Sequence, residues 1–533
     1  MVRRLAAAVL IGVVLTTWPM VLSPLSTGMG MPGLEGPDHL WSLWAGLLDG
    51  PIVIDTARVN FPAGLRWVLA DPLNLLWFAP GWMIGGPTLG WNLVVAGSLA
   101  VTGLAAGLWS RQLDPTDEHA PAIAALLAIT SAPVAGSLLT GMSEAMTMGW
   151  LGLALLALSR LGTDLRWRTA LLAGLLLGLT AWAGPYTAIY TALAAPPILL
   201  GVLWRGRAAV LPRLGLSATI GALLALPILR AVLWERPEGL PGSDSGLPAV
   251  LADPGAAKNL MLGADPIGLV WPIVPVEPLH AVFLGTLLLP LALGRLRRAP
   301  ALLASAFILL VLGLGFFLQH RGMLWGSAPL ALPATWISLK IEALGRAIRW
   351  HRAIIPAVLL LSAPAALSLR ALTLRLGRLQ PLVLTGVLGL MIADSLLRAP
   401  LPWPRHTFPV APPDGYTELT EGPILSLPLA RFAGGRPDVL RSTELLWQTT
   451  HGHSIGGNPR QPGAAFTDPA VAAAAQAILD GEVSGVQTAA DLGFTWILVQ
   501  RARDADRISS LIGPPDVIDE ALWAWAIRDR DDG

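Results

Sequence analysis

The 533-residue chain contains no cysteine, which excludes disulfides, thiolate metal sites and cysteine nucleophiles. Lysine occurs only at Lys258 and Lys340, all other cationic side chains being arginine. Charge of either sign is scarce, at 13% of residues, where a soluble domain carries about 25%. The net charge of +1 gives no case for nucleic-acid binding. Neither a Walker phosphate loop nor a dinucleotide glycine fingerprint with its acidic partner occurs, and no internal repeat is present. What fills the chain is apolar: 54% of residues are hydrophobic and the mean hydropathy is +0.61. Most of this sequence belongs in lipid.

The hydrophobic runs and the arginines between them define a topology. Arg3-Arg4 precedes an apolar run from Leu5 to about Ser23 with no small-x-small cleavage site behind it, so it reads as an uncleaved first span with its N-terminus inside. A long outer loop over 26–88 follows. Within it, Leu73 to Gly86 is apolar but broken by Pro80 and Gly81 and shorter than the roughly 20 residues a span needs, so it reads as interfacial or re-entrant. Further spans are expected near 89–109, 120–140, 144–159, 169–184, 186–204 and 214–233. Arg111, Arg160, Arg166, Arg168, Arg205, Arg207 and Arg213 fall in alternate loops, while the turns at Gly141 and Gly184-Pro185 carry no positive charge. That is the positive-inside pattern. A second outer loop spans 234–278, and spans near 279–294, 301–318, 353–369 and 380–397 flank a third, 319–352. Met323 to Leu339 is the ambiguous stretch: a crossing there reverses the side on which the following arginines lie.

After Arg398 the composition becomes acidic and soluble-like. Strands are expected at Ile424–Leu429, Thr495–Gln500 and Trp523–Arg528, with helices over Pro469–Asp480, capped by Asp468, and Asp504–Ile512. The expected fold is therefore an all-α polytopic membrane domain of about eleven transmembrane helices over 1–398. It is followed by a small α/β domain over 399–533, outside the cytoplasm, and the whole chain sits in a bacterial inner (cytoplasmic) membrane.

Three features carry candidate chemistry. Asp38 follows the first span, in Glu35-Gly-Pro-Asp-His-Leu-Trp41. A partly desolvated carboxylate there suits a general base, with His39 beside it as a substrate contact; the alternative is a loop aspartate capping the helix that begins at His39. Glu144, in Thr140-Gly-Met-Ser-Glu144, is an acid at a membrane boundary, or a helix-start glutamate favoured by the dipole. Arg346, Arg349 and Arg352, with His351, share one helical face if the segment is helical. Placed outside, they suit a phosphate or pyrophosphate; placed inside, they are a topology signal. His451-Gly-His453 lacks a third ligand of metal-site spacing.

The chain resembles bacterial GT-C-type integral-membrane glycosyltransferases, in the branch related to YfhO-like membrane proteins. The resemblance is carried by Gly36-Pro-Asp38, Phe61-Pro-Ala-Gly64, Asp71-Pro72, Gly90-Trp-Asn92, Ser131-Ala-Pro133, Gly141-Met-Ser-Glu144 and Gly184-Pro-Tyr186 in the membrane part. In the C-terminal part it is carried by Ile424-Leu-Ser-Leu-Pro428, Gln448-Thr-Thr-His-Gly452 and Leu492-Gly-Phe-Thr-Trp-Ile-Leu-Val499. It implies a polyprenyl-phosphate-linked sugar donor, a glycan, lipid or protein acceptor outside the cytoplasm, and transfer with inversion. Carried over, Asp38 is the base, Glu144 a second acid near the acceptor or a divalent cation (Mg or Mn), and Arg349 or Arg352 a phosphate contact. The first loop offers Asp38-His39 where better-known members pair two acids, which leaves the divalent ion an open element. A transporter or flippase of a lipid-linked substrate and a non-catalytic membrane scaffold are the competing readings.

Overall fold

A computed structural model describes residues 1–234, 251–252, 263–271, 281–320, 323–325, 329–341, 344, 349–398, 401–429, 439–457, 468–519 and 522–527. The membrane part opens with α1 (Val2–Thr17), the short strand β1 (Thr27–Met29), helix α2 (Gly36–Asp49) and a hairpin of β2 (Val53–Thr56) with β3 (Leu65–Val68). Helix α3 (Leu75–Leu113) is broken in its first half: Gly85 and Gly86 leave helical geometry, Gly86 at φ +73, and the chain doubles back. Gly81 then lies against the Gly90 backbone and Gly97 against the Trp77 ring, approaches that only a missing side chain permits. The arm ahead of the break, Leu75 to Ile84, is thus too short to span a bilayer.

The expected span 120–140 is α4 (Ala120–Ile129) and α5 (Ala132–Thr140), bent by 43° at Thr130-Ser131. There the Thr130 and Ser131 hydroxyls donate to the Leu126 and Ala128 carbonyls, and Pro133 supplies no amide to carry the ladder across. Helices α6 (Ser143–Met146), α7 (Gly149–Arg160), α8 (Trp167–Ala183), α9 (Pro185–Gly206) and α10 (Leu211–Trp234) follow. Gly174 and Gly178 of α8 sit against Ile220 and Leu224 of α10, the small-residue packing that brings helices close in lipid. Beyond α10, α11 (Leu288–Leu293) and α12 (Pro300–Gly313) occupy the 279–294 and 301–318 segments. The former is helical only over its last part, after Gly285 at φ +88. Met323–Leu339 is no crossing helix: its described residues belong to a two-residue hairpin, β4 (Gln319–His320) with β5 (Met323–Leu324), and to the eight-residue helix α13 (Pro333–Lys340). A 3-10 turn, Trp350–Ala353, then feeds α14 (Ile354–Leu374), whose apolar window is wholly buried, and α15 (Gln380–Ala393). An apolar helix buried all round is the axis on which the others pack.

Four described helical stretches are long and apolar enough to cross a membrane, or five if the bent α4–α5 pair is one span. The expected number of about eleven is not reached on that measure, because kinks, glycine breaks and short helices divide the remaining segments.

The arginine loops gather at one end. Arg4 pairs with Glu118 at 2.8 Å, Arg370 with Asp117 at 3.2 Å, and Arg295 donates to the Leu367 carbonyl. Arg352 and Arg370 begin and nearly end the central helix, 18 residues or about 27 Å apart. The Arg349–Arg352 end is therefore one hydrocarbon thickness away from the Arg370 end.

The C-terminal domain has a four-stranded sheet: β7 (Ile424–Leu427) parallel to β8 (Trp496–Val499), then β10 (Leu522–Ala526) and β9 (Val517–Asp519) antiparallel. Its helices are α16 (Val439–His451), α17 (Pro469–Asp480), α18 (Val483–Asp491) and α19 (Ala502–Ile512). Asp468 caps α17 by accepting from the Ala470 amide. Of these elements, α16, α18 and β9 were not expected from the sequence; Arg528 lies outside the described residues. The domain is fastened to the long loop after α1. Strand β6 (Thr407–Pro409) pairs with β1, Asn60 and Phe61 donate to the Gly457 and Ile455 carbonyls, and the Phe61 ring meets Phe494 edge-on.

Candidate active site

A cleft of about 250 Å³ opens where the loop after α1, the α5–α6 turn and the start of the central helix meet. The backbone sets this meeting. Gly141, at φ +79, lets the α5 end turn against Gly36, and the Met31 and Glu35 amides donate to the Leu139 and Thr140 carbonyls at 2.8 and 3.0 Å. Any side chain at Gly141 would strike the Gly36 backbone. Glu35 at the head of α2 is thereby laid beside Glu144 in α6. On the far side, Thr147 donates to the Ala183 carbonyl at 2.7 Å, holding the Gly184-Pro-Tyr186 turn against the same cleft.

Glu35, His39 and Ser42 line the cleft from α2, at spacings of four and three that keep them on one helical face. Asp38 is not among the lining residues; it falls about 60° around the helix from Glu35. The acid expected from sequence, Asp38, stands three positions beyond Glu35 on the same helix and next to the lining His39, but is not itself a lining residue. Asp71 reaches the cleft from the other end of the first loop, with its carboxylate accepting from Asn74 at 2.7 Å.

The cations come from the segment whose side was ambiguous. Arg352 pairs with Glu144 at 2.5 Å and stacks over the Tyr186 ring at 4.7 Å, and its Nε–H has no partner. Arg349 stands 3.7 Å from Glu35, its carbonyl accepting from Tyr190 and its amide donating to Tyr186. Both arginines line the cleft together with Tyr186. His351 is buried but is not a lining residue, and Arg346 lies outside the described residues. The structure thus brings together His39, Glu144, Arg349 and Arg352 and adds Glu35, Asp71 and Tyr186. Two signals for the added acids were present: the Glu35–His39 spacing of four, and Asp71 set immediately before Pro72 in an apolar stretch.

The three acids differ in proton affinity. Burial raises the Asp71 carboxyl to about 6, and the nearby Glu144 charge adds to this against the lowering by His39 and Ser143. Burial also acts on Glu35, but the His39 hydrogen bond and the Arg349 charge outweigh it and leave that carboxyl at about 2. Glu144 is held below the usual carboxylate range, because Arg352 and His39 more than offset its burial. For His39 burial opposes the charge, yet Glu35, Glu144 and Asp71 together raise its pKa. Its Nδ1 lies 2.9 Å from the Ser143 hydroxyl.

Among the described residues no three His, Asp or Glu side chains converge as metal ligands, and Glu35 and Glu144 each already face an arginine.

No protein-family model matches the chain. No curated protein matches it either. Solved structures do, by fold. The apo crystal structure of ArnT from Cupriavidus metallidurans superposes at a TM-score of 0.51 and 12% identity, covering 99% of this chain and 98% of that one. The arabinofuranosyltransferase AftD from Mycobacteria gives 0.50 at 18% identity over the whole of this chain, which spans 42% of that protein's length. The Archaeoglobus fulgidus oligosaccharyltransferase gives 0.45 at 14% identity over 95% of this chain and 69% of that one. The chain has the fold of the GT-C membrane glycosyltransferases.

Proposed function

We infer that this protein is a membrane glycosyltransferase that moves a sugar from a polyprenyl-phosphate donor to an acceptor hydroxyl at the membrane surface, inverting the anomeric centre. The reading rests chiefly on one observation: a polar cleft at one end of the helical core holds two arginines against three carboxylates of unequal proton affinity. Arg352 and Arg349 take the phosphate, since guanidinium holds phosphate oxygens in a planar fork. As the acceptor oxygen bonds to the anomeric carbon, the carbon–oxygen bond to phosphate breaks and the departing anion stays with the arginines, so no proton donor is needed at the leaving group.

The acceptor's proton goes to Asp71. A carboxylate near 6 has the affinity for this, whereas Glu35 near 2 is too weak a base and serves to orient His39 and Arg349. Glu144 fixes Arg352. The cationic role that Mg or Mn plays in other sites falls to the arginines. With the arginine-rich loops inside, the cleft and C-terminal domain face away from the cytoplasm. Membership of the branch related to YfhO-like proteins belongs to the same proposal, on the motifs quoted above.

The test is transfer by the purified full-length protein from a panel of polyprenyl-phosphate sugars, preceded by thermal shift to find a donor that binds. A donor that stabilises wild type but not Arg352→Ala, and is consumed by wild type but not Asp71→Asn, supports the reading. Donor consumption that survives both substitutions overturns it.

A further inference from the structure

Among the described residues outside the cleft, Arg405 is a buried arginine with no ion pair. It lies between α15 and β6 and is 2% exposed. Its amide donates to the Trp18 carbonyl at the end of α1, and its Nη1 donates to Pro402 at 2.7 Å. Its Nε and Nη2 are buried with no hydrogen-bond partner among the described residues. Those two nitrogens form one edge of the planar guanidinium, the parallel pair of N–H groups that fits two oxygens of a phosphate or carboxylate. Burial alone acts on its ionisation, lowering its pKa to about 10, with no acidic neighbour to counter it. A buried cation with an empty fork is costly unless an anion meets it.

The surroundings indicate the source of that anion. The neighbouring Trp403 is 39% exposed and donates to the Leu15 carbonyl of α1. At the same end of α1 the side chains of Leu22 and Leu25 are 65% and 61% exposed. Leu25 touches the Gly85 turn, next to Met83 and Ile84, which are 72% and 79% exposed. Exposed leucine, isoleucine and tryptophan at the end of α1 to which the Arg405 backbone is bonded describe the level of a bilayer where acyl chains meet head groups. None of these residues lines the catalytic cleft.

We propose that Arg405 is a second oxyanion site, whose Nε–H and Nη2–H hold the phosphate of a membrane phospholipid at the junction of the first helix and the C-terminal domain. Its occupant ties down the segment leading into β6, whose Phe408 packs on Gly28, Gly30 and Gly36 at the head of α2. The site is independent of the transfer reaction and stands or falls without it.

The test uses delipidated full-length protein in a non-ionic detergent. Phosphatidylglycerol, diacylglycerol with the same acyl chains, and inorganic phosphate are titrated in separate arms, read by melting temperature and native mass spectrometry. Phosphatidylglycerol is expected to raise the wild-type melting temperature by about 5 °C and to appear as a bound adduct. Diacylglycerol does neither, and Arg405→Gln weakens the phospholipid response at least tenfold. An equal response to inorganic phosphate keeps the oxyanion site and assigns it to free phosphate in place of lipid. Equal wild-type responses to diacylglycerol and phosphatidylglycerol overturn the proposal, whether or not the variant folds, as does an unchanged response in a folded Arg405→Gln.

Discussion

Glu144 and Arg352 form a 2.5 Å ion pair across 208 positions of sequence, with side chains 15% and 2% exposed. The pair links the short α5–α6 turn to the start of the central helix, and Arg352 is stacked at the same time on Tyr186 from a third segment. One guanidinium therefore ties three connections at the same end of the helical core into the wall of one cleft.

Removing one partner of such a pair leaves the other charge buried. Arg352→Ala is expected to cost about 3–5 kcal/mol of stability, and Glu144→Gln less, because glutamine still accepts a hydrogen bond while the arginine keeps Tyr186. Melting curves of both single variants and the double variant check this. A coupling below about 0.5 kcal/mol in that cycle would show that the pair is not a structural tie.

Asp71 and Asp38 separate the two readings of the first loop. Asp71→Asn is expected to lower the transfer rate by about 10²–10⁴-fold with little change in donor binding, the range a general base supplies. Asp38→Asn, off the cleft face of α2, should leave most of the rate. Wild-type transfer should rise with pH through about 6, as Asp71 loses its proton. A null phenotype for Asp38→Asn together with an active Asp71→Asn would return the base to Asp38.

The same carboxyl makes a stability prediction with a definite sign. Asp71 is shifted from 3.8 to about 6 on folding, so its contribution to stability is full below about pH 3.8 and is lost as the pH rises to about 6. Above that the charged, buried form costs about 3 kcal/mol. Asp71→Asn should therefore melt higher than wild type at pH 7.5 and show no such advantage at pH 4. An inactive, stabilised variant is the signature of a residue kept for chemistry.

Much of this arrangement was legible in the sequence because hydrophobic length and arginine placement are one-dimensional signals. The helices at 89–113, 167–183, 185–206 and 354–374 lie where the apolar runs put them, and Glu144 stood out as an acid at a span's edge. Asp71 did not, since it gains its role from His39 and Ser143, which other segments bring to it. Glu35 was not singled out, because its place in the cleft depends on Arg349 and Glu144, which distant segments bring to it. The hairpin at Gly85-Gly86 and the 43° bend at Thr130-Ser131 depend on backbone angles, which a hydropathy run does not encode.

Divalent cations test the charge economy of the cleft. With arginines already facing Glu35 and Glu144, transfer should survive exhaustive dialysis against EDTA without loss beyond about twofold. Activity that vanishes on chelation and returns with Mg or Mn would mean that ion pairing in the cleft rearranges to admit a metal.

The last prediction concerns how the C-terminal domain reaches the chemistry. Gln448 of α16 is fully buried; it accepts from the Trp41 indole at 2.6 Å and donates to the Arg58 and His453 carbonyls at 2.5 and 2.7 Å. Trp41 sits on α2 between His39 and Ser42, which line the cleft. Gln448→Leu fills similar volume but leaves the Trp41 indole N–H and the His453 carbonyl without their partner, while the Arg58 carbonyl keeps the Ile455 amide; at about 1–3 kcal/mol for each polar group so left, the variant should melt well below wild type. Because the lost bonds hold the helix that carries Glu35 and His39, transfer should fall even at temperatures where the protein remains folded. The exposed Gln487→Leu, whose amide meets only Asp491 in its own helix, should do neither. A Gln448→Leu protein with normal melting and normal transfer would show that the domain rests on the first loop without positioning it.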